Sequence, residues 1–332
     1  MKAFCFWVFI CAAAAGLLAR QDTRTRTEDY DWKIAQRFDD GRVVIMLSND
    51  EKPMTADERS TLLGAKFEKP AGTFLASNLA GMLRADGDWV RRVTGSSAKT
   101  GDLWAIDAGR SGWFTTSVGE SVLATSHCQA LPAMLASVGP SQRGSFARIR
   151  EKYFPAHAIG SWMPPDRASR VGPMAYVVTP TERQDIERLL QREFQQKSRA
   201  ETSKTARLRF DVQAFRLTQD GAARLFVRAE WALDGRSVFL MSAWMRTAPI
   251  LEIESADFHA AGFAENTAFR FDGPMDPLMN GQVLNVTDID RDGLAEVLML
   301  YQYYEGFSIE LSVYPPAEPN SAKVLAKFGS GC

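Results

Sequence analysis

Asp288-Ile289-Asp290-Arg291-Asp292-Gly293-Leu294-Ala295-Glu296 places carboxylates at alternate positions, then a glycine, then a fourth carboxylate. That pattern suits a hard cation. Calcium takes about six to eight oxygen ligands, and acids at positions 1, 3 and 5 of a tight loop can converge on one point. Gly293, at the sixth position, permits the left-handed backbone such a turn needs. Asp and Gly also favour ordinary turns for local reasons. Four acids within nine residues nevertheless repel one another unless a counter-ion joins them. The loop therefore predicts a metal site with calcium as its cofactor. It names no reaction.

An EF-hand needs a bidentate glutamate at position 12 and a helix on each side. Position 12 here is Met299, and the flanks are β-branched or aromatic, so that reading fails. Asp288, Asp290, Asp292, Gly293 and Glu296, followed directly by an apolar strand, resemble the calcium-binding hairpin of FG-GAP and VCBS-type repeats. The resemblance covers residues 282–314. It implies an ion held by the side chains of Asp288, Asp290 and Asp292, the backbone carbonyl of Leu294 and the acid Glu296. Arg291 stands where that family often has glycine, and a cation there is expected to lower affinity. The family usually repeats the motif. This chain carries one copy and no repeat period, which argues against a whole propeller.

Other short motifs yield less. Ser96-Ser97-Ala98-Lys99-Thr100-Gly101 matches both S-x-x-K and K-T-G, but the two share Lys99 and cannot both operate, so it reads as a polar loop. His127 adjoins Cys128, yet neighbours on a strand point to opposite faces, which makes His127 a poor base for that thiol. Residues 139–145 have phosphate-loop glycine spacing without the lysine. Tyr301, Tyr303, Tyr304 and Phe307 crowd one hairpin, where large rings commonly cover neighbouring strands.

The elements that must hold the loop are strands. Val283 to Val286 precedes it and Val297 to Tyr301 follows, with a turn at Glu305-Gly306 into 307–314. Upstream, Leu208 to Met245 alternates apolar and polar residues around Asp220-Gly221 and Asp234-Gly235, which predicts a three-stranded antiparallel meander. Leu225, Val227, Ala229 and Trp231 should share its buried face. Thr179-Pro180-Thr181-Glu182 combines an N-cap, a first-turn proline and a capping glutamate, so a helix starts there with Ile186, Leu189, Leu190 and Phe194 on its apolar face. Earlier in the chain, strands are predicted at 42–47, 89–93, 103–106, 113–116 and 122–125. Helices are predicted after Thr55 and over 129–138, and 139–173 reads as irregular. The fold class is mainly β, with an α+β N-terminal part and a C-terminal antiparallel sheet domain built as a meander, sandwich or propeller blade. The divisions are a signal peptide at 1–19, a leader at 20–28, an N-terminal domain at 29–178, a helix and linker at 179–206 and a C-terminal domain at 207–332.

Composition sets the compartment and excludes some partners. Lys2 followed by an apolar run to Leu18 and small residues is a secretory signal peptide rather than a membrane anchor, giving a secreted or periplasmic protein that is not integral to the membrane after cleavage. A net charge of -1 gives no case for nucleic acid. Export leaves Cys128 and Cys332, and an oxidising compartment permits either a disulfide between them or two free thiols. The first functional reading is a calcium-stabilised binding or structural module of unknown ligand, with a glycan or a protein as the candidates. The alternative is a secreted hydrolase with structural calcium and an N-terminal active site. Only three histidines are available for a catalytic set, and no catalytic residue is assigned. Export predicts cleavage before Asp22; mass spectrometry of the exported protein should lack Met1, and an intact Met1 would contradict the signal reading.

Overall fold

Short apolar runs punctuated by Gly, Ser and Asp make strands, and every described pairing between strands of this chain is antiparallel. A computed structural model describes residues 31–37, 42–47, 81–96, 98–125, 130–159, 176–197, 206–218, 221–233, 236–260, 281–290, 292–303, 306–314 and 322–331. The signal segment, the leader, the helix after Thr55, His127, Cys128, Asp220, Asp234, Gly235, Arg291, Tyr304 and Cys332 lie outside the described residues. The protein is mainly β, with several antiparallel sheets.

The first sheet contains β1 (Trp32–Arg37), β2 (Arg42–Met46), β3 (Gly81–Arg84), β4 (Leu103–Asp107), β5 (Trp113–Thr125), β6 (Ala130–Val138) and β7 (Tyr153–Ala158). Its order is β3-β5-β4-β7-β1-β2-β6, and β5 pairs again with β6, so six of its strands close into a ring. Such a small ring is filled by side chains. Ala35, Ile45, Trp104, Phe114, Met134 and Phe154 form that interior. Val90 of helix α1 (Gly87–Thr94) and Phe146 of helix α2 (Pro140–Phe146) join it. The alternate residues, among them Trp32, Ile34, Val44 and Met46, face outward into a second core.

The remaining strands form two four-stranded meanders. β8 (Arg207–Arg216), β9 (Ala223–Leu233), β10 (Arg236–Arg246) and β11 (Glu252–Ala260) lie side by side in the middle sheet. β12 (Gln282–Thr287), β13 (Glu296–Tyr303), β14 (Gly306–Val313) and β15 (Lys323–Gly331) do the same in the C-terminal sheet. Helix α3 (Pro180–Lys197) covers one face of the middle sheet. Its capping box forms as the sequence indicates: Glu182 N–H donates to Thr179 Oγ1 at 3.2 Å, and Thr179 N–H donates to Glu182 Oε2 at 2.8 Å. Ile186, Leu190 and Phe194 pack on the expected face of β9, where Leu225, Val227, Ala229 and Trp231 are all fully buried.

The other face of the middle sheet presents Phe215, Phe226 and Trp244 to Val283, Val297 and Met299 of the C-terminal sheet. Gln213 stitches the two together, donating from Nε2 to the Val283 carbonyl at 2.9 Å and accepting from the Val283 N–H at 3.0 Å. The opposite face of the C-terminal sheet puts Leu298, Phe307, Ile309, Leu311 and Phe328 against the outside of the ring. The C-terminal sheet is thus the inner layer, with apolar packing on both sides.

Four local expectations are corrected. Residues 89–93 are not a strand but lie in α1, because Asp86 caps its start by accepting from Asp88 N–H at 3.0 Å and Gly95 ends it at φ +66°. Where a helix is expected over 129–138, the described residues Ala130–Val138 form strand β6, which is buried toward both the interior and the outer core. Two-sided burial gives a strand a continuous apolar run, the pattern that mimics a helix. Residues 139–173 are not wholly irregular, since α2 and β7 fall within them. The strands expected at 113–116 and 122–125 are one strand, β5, whose register shifts between Val118 and Glu120.

Phe194 stacks on Trp231 with ring centroids 4.8 Å apart, anchoring α3 to the middle sheet. Trp231→Ala should lower unfolding stability by about 3–5 kcal/mol in a denaturant melt, the range for a large buried aromatic; a loss under about 1 kcal/mol would show that this stack does not hold the helix.

Candidate metal centre

β12 and β13 pair as a hairpin, with Thr287 opposite Glu296, so residues 288–295 form the connection. The aspartates first shape their own loop. Asp290 Oδ1 accepts from Asp292 N–H at 2.9 Å, Asp292 Oδ1 from Leu294 N–H at 2.7 Å, and Asp288 Oδ2 from Gly293 N–H at 3.1 Å. Gly293 has φ +94°, a conformation that side chains with a Cβ rarely adopt. Glu296 is almost wholly buried at 1% exposure, and its Oε2 accepts from Ile289 N–H at 2.7 Å.

The same folding brings the carboxylates together. One oxygen from each of Asp288, Asp290 and Asp292 lies within 4.8 Å of the other two. At an effective dielectric constant of about 20, two full charges at such a separation repel by roughly 3 kcal/mol. Asp290 Oδ2 is shielded from solvent and accepts no hydrogen bond from any described residue. Calcium binds carboxylate oxygens at about 2.3–2.6 Å, so a single ion can reach oxygens spaced this closely. The donor set is all oxygen, the chemistry of a hard cation rather than a soft one. The residues present fit calcium.

The expected ligands occupy three kinds of position. Asp288, Asp290 and Asp292 converge. Glu296 stands outside that trio and ties the loop's second residue to the start of β13. Leu294 pairs as an isolated bridge with Thr218, and the hydrogen bond beside the bridge runs from Ala295 N–H to the Leu217 carbonyl at 2.7 Å. The Leu294 carbonyl is therefore not the acceptor of that bond.

The loop also belongs to the tertiary structure. Ile289 is 2% exposed and packs in the core between the ring and the C-terminal sheet. On the other side the Leu217 and Thr218 contacts hold the loop to the end of β8. A turn of the ring at Gly109–Ser111 abuts β12, where a Cβ on Gly109 would come within 3.2 Å of Asn285 Oδ1. Sequence reading missed these neighbours, since long-range contacts leave no local signature.

Two of the other motifs make structural contacts. Ser96 Oγ accepts from Ala98 N–H at 3.2 Å, and Lys99 N–H donates to Asp102 Oδ2 at 2.6 Å, as in a polar turn. Tyr301 packs into the core shared with the middle sheet. Among the described residues, no helix is long and apolar enough to cross a membrane. Compared with known proteins, the chain matches no protein-family model, no curated protein and no solved structure.

Nothing lies within 4 Å of a Cβ built on Gly293, so substitution there tests the backbone alone. Gly293→Ala should cost about 1–2 kcal/mol in a denaturant melt, the penalty for a left-handed residue with a Cβ; a neutral effect would mean the loop relaxes to another turn.

Proposed function

We propose that the protein is an exported, calcium-stabilised β module that serves a binding or structural role toward a protein or glycan. The observation that carries this is the convergence of Asp288, Asp290 and Asp292 within 4.8 Å of one another. The ion would be held by those three side chains, with the Leu294 carbonyl and Glu296 completing the set in the manner of the FG-GAP and VCBS-type hairpin. It would offset their mutual repulsion and supply no reaction chemistry. The apolar signal-like segment at 1–19 supports export.

The location of the loop supports a stabilising role. Its residues reach both neighbours of the inner sheet, through Ile289 on one side and Ala295 on the other. An ion that fixes the loop therefore fixes a junction.

A ligand that binds only the folded state stabilises it by about 2.7 kcal/mol at a hundredfold excess over its dissociation constant. Added calcium should raise the melting temperature and a chelator should lower it. Asp290→Ala should abolish the response, and Arg291→Gly should keep or strengthen it. A melt indifferent to calcium and chelator, on protein shown to be folded, would overturn the proposal and leave an ordinary Asp-rich turn.

A further inference from the structure

From α2 to the start of β7 the chain turns its cations outward. Residues 140–152 carry Arg143, Arg148, Arg150 and Lys152 against a single acid, Glu151, in a chain whose net charge is -1. All four basic residues are exposed. Packing sets this arrangement. Phe146 and Ile149 are buried in the interior of the ring, so the side chains around them face water.

Hydrogen bonds fix the segment to the ring. Gln142 Oε1 accepts from Thr115 N–H of β5 at 2.9 Å. Past α2 the chain stays coiled: Ala147 N–H donates to the Arg143 carbonyl at 2.9 Å, and Ile149 N–H to the Phe146 carbonyl at 3.1 Å. Arg37, at the end of β1, holds both ends of the turn that follows. Its backbone N–H donates to the Lys152 carbonyl at 2.9 Å, and its Nη2 donates to the Ala147 carbonyl at 2.9 Å. The cations therefore stand on a preorganised surface, where a ligand has little backbone left to order.

Among the described residues, none of the four basic side chains forms an ion pair. Arg148 Nη2 donates to Ser145 Oγ at 3.4 Å, a neutral partner. Glu151 accepts from the backbone N–H of Arg150 at 3.1 Å. Exposed arginines on other elements do pair, as Arg188 does with Asp185.

We propose that this surface binds an acidic polysaccharide through the carboxylate or sulfate groups along the polymer. The proposal rests on the binding role set out above and gives its ligand a chemical class. Three of the four cations are arginines, whose planar fork grips an oxyanion at two points. The exposed side chains of 140–152 include no aromatic residue and no Leu, Ile, Val or Met. The surface thus lacks the apolar core of a protein interface. It lacks the stacking platform of a single-strand nucleic-acid site and the apolar face that enters a bilayer. Charge is what it offers, and that suits a hydrophilic polyanion.

The test measures binding of the full chain to dextran sulfate and to polygalacturonate. Uncharged dextran, anionic phospholipid vesicles and single-stranded DNA serve as comparisons. The protein should bind a charged polysaccharide, ignore uncharged dextran and release its ligand as salt screens the contact. Arg148→Gln with Arg150→Gln should weaken binding by about tenfold, since one exposed charge pair contributes up to about fivefold. Arg143→Gln with Lys152→Gln should also weaken it, which keeps the test open if the first variant fails to fold. Arg188→Gln with Arg192→Gln makes the same charge change on the exposed face of α3 and should leave affinity within about twofold. Equal losses on the two surfaces, no binding to either charged polysaccharide, or tighter binding to vesicles or DNA through the same arginines would overturn the proposal. Polysaccharide binding by a protein whose melt ignores calcium would sustain this surface and refute the calcium site. A calcium-dependent melt without polysaccharide binding would do the reverse.

Discussion

β13 is buried on both faces from Glu296 to Met299, and the layered fold depends on that double burial. Leu298 packs toward the ring of strands, while Val297 and Met299 pack toward the middle sheet. Each large aliphatic side chain removed from water contributes about 1.5–3 kcal/mol, so one strand stabilises two interfaces. Its polar start is where the Asp-rich loop attaches. Displacing that loop would disturb the entry of a strand on which both interfaces rest.

Among the described residues, several charges meet opposite charges. Arg224 lies 2.8 Å from Glu254, both side chains almost wholly buried. Arg209 Nε donates to Glu230 at 2.6 Å, and Arg228 to Asp211 at 3.0 Å. In the Asp-rich loop one oxygen from each of Asp288, Asp290 and Asp292 lies within 4.8 Å of the other two, and each aspartate accepts a backbone N–H. Backbone donors can hold the loop's geometry but do not neutralise its charge. A cation placed among those three oxygens would offset their repulsion.

The loop was legible because its geometry is local: the acids, the glycine and the flanking strands all lie within residues 282–303. The middle meander was legible for the same reason, through alternation and turn residues. The α3 cap could be read from four consecutive residues. Misreadings fell where tertiary burial erased periodicity. β6 is apolar on both faces and so resembles a helix, and the eight residues of α1 are too few to establish a helical period. Closure of the ring through β5 and β6, and the contact of Leu217 with the Asp-rich loop, depend on partners distant in sequence. No spacing pattern encodes them.

The most direct measurement is a crystal structure of the protein grown with calcium. The account predicts one ion about 2.3–2.6 Å from an oxygen of each of Asp288, Asp290 and Asp292, in a site of about six to eight oxygen ligands. A well-ordered loop holding only water among those three carboxylates, at saturating calcium, would contradict it.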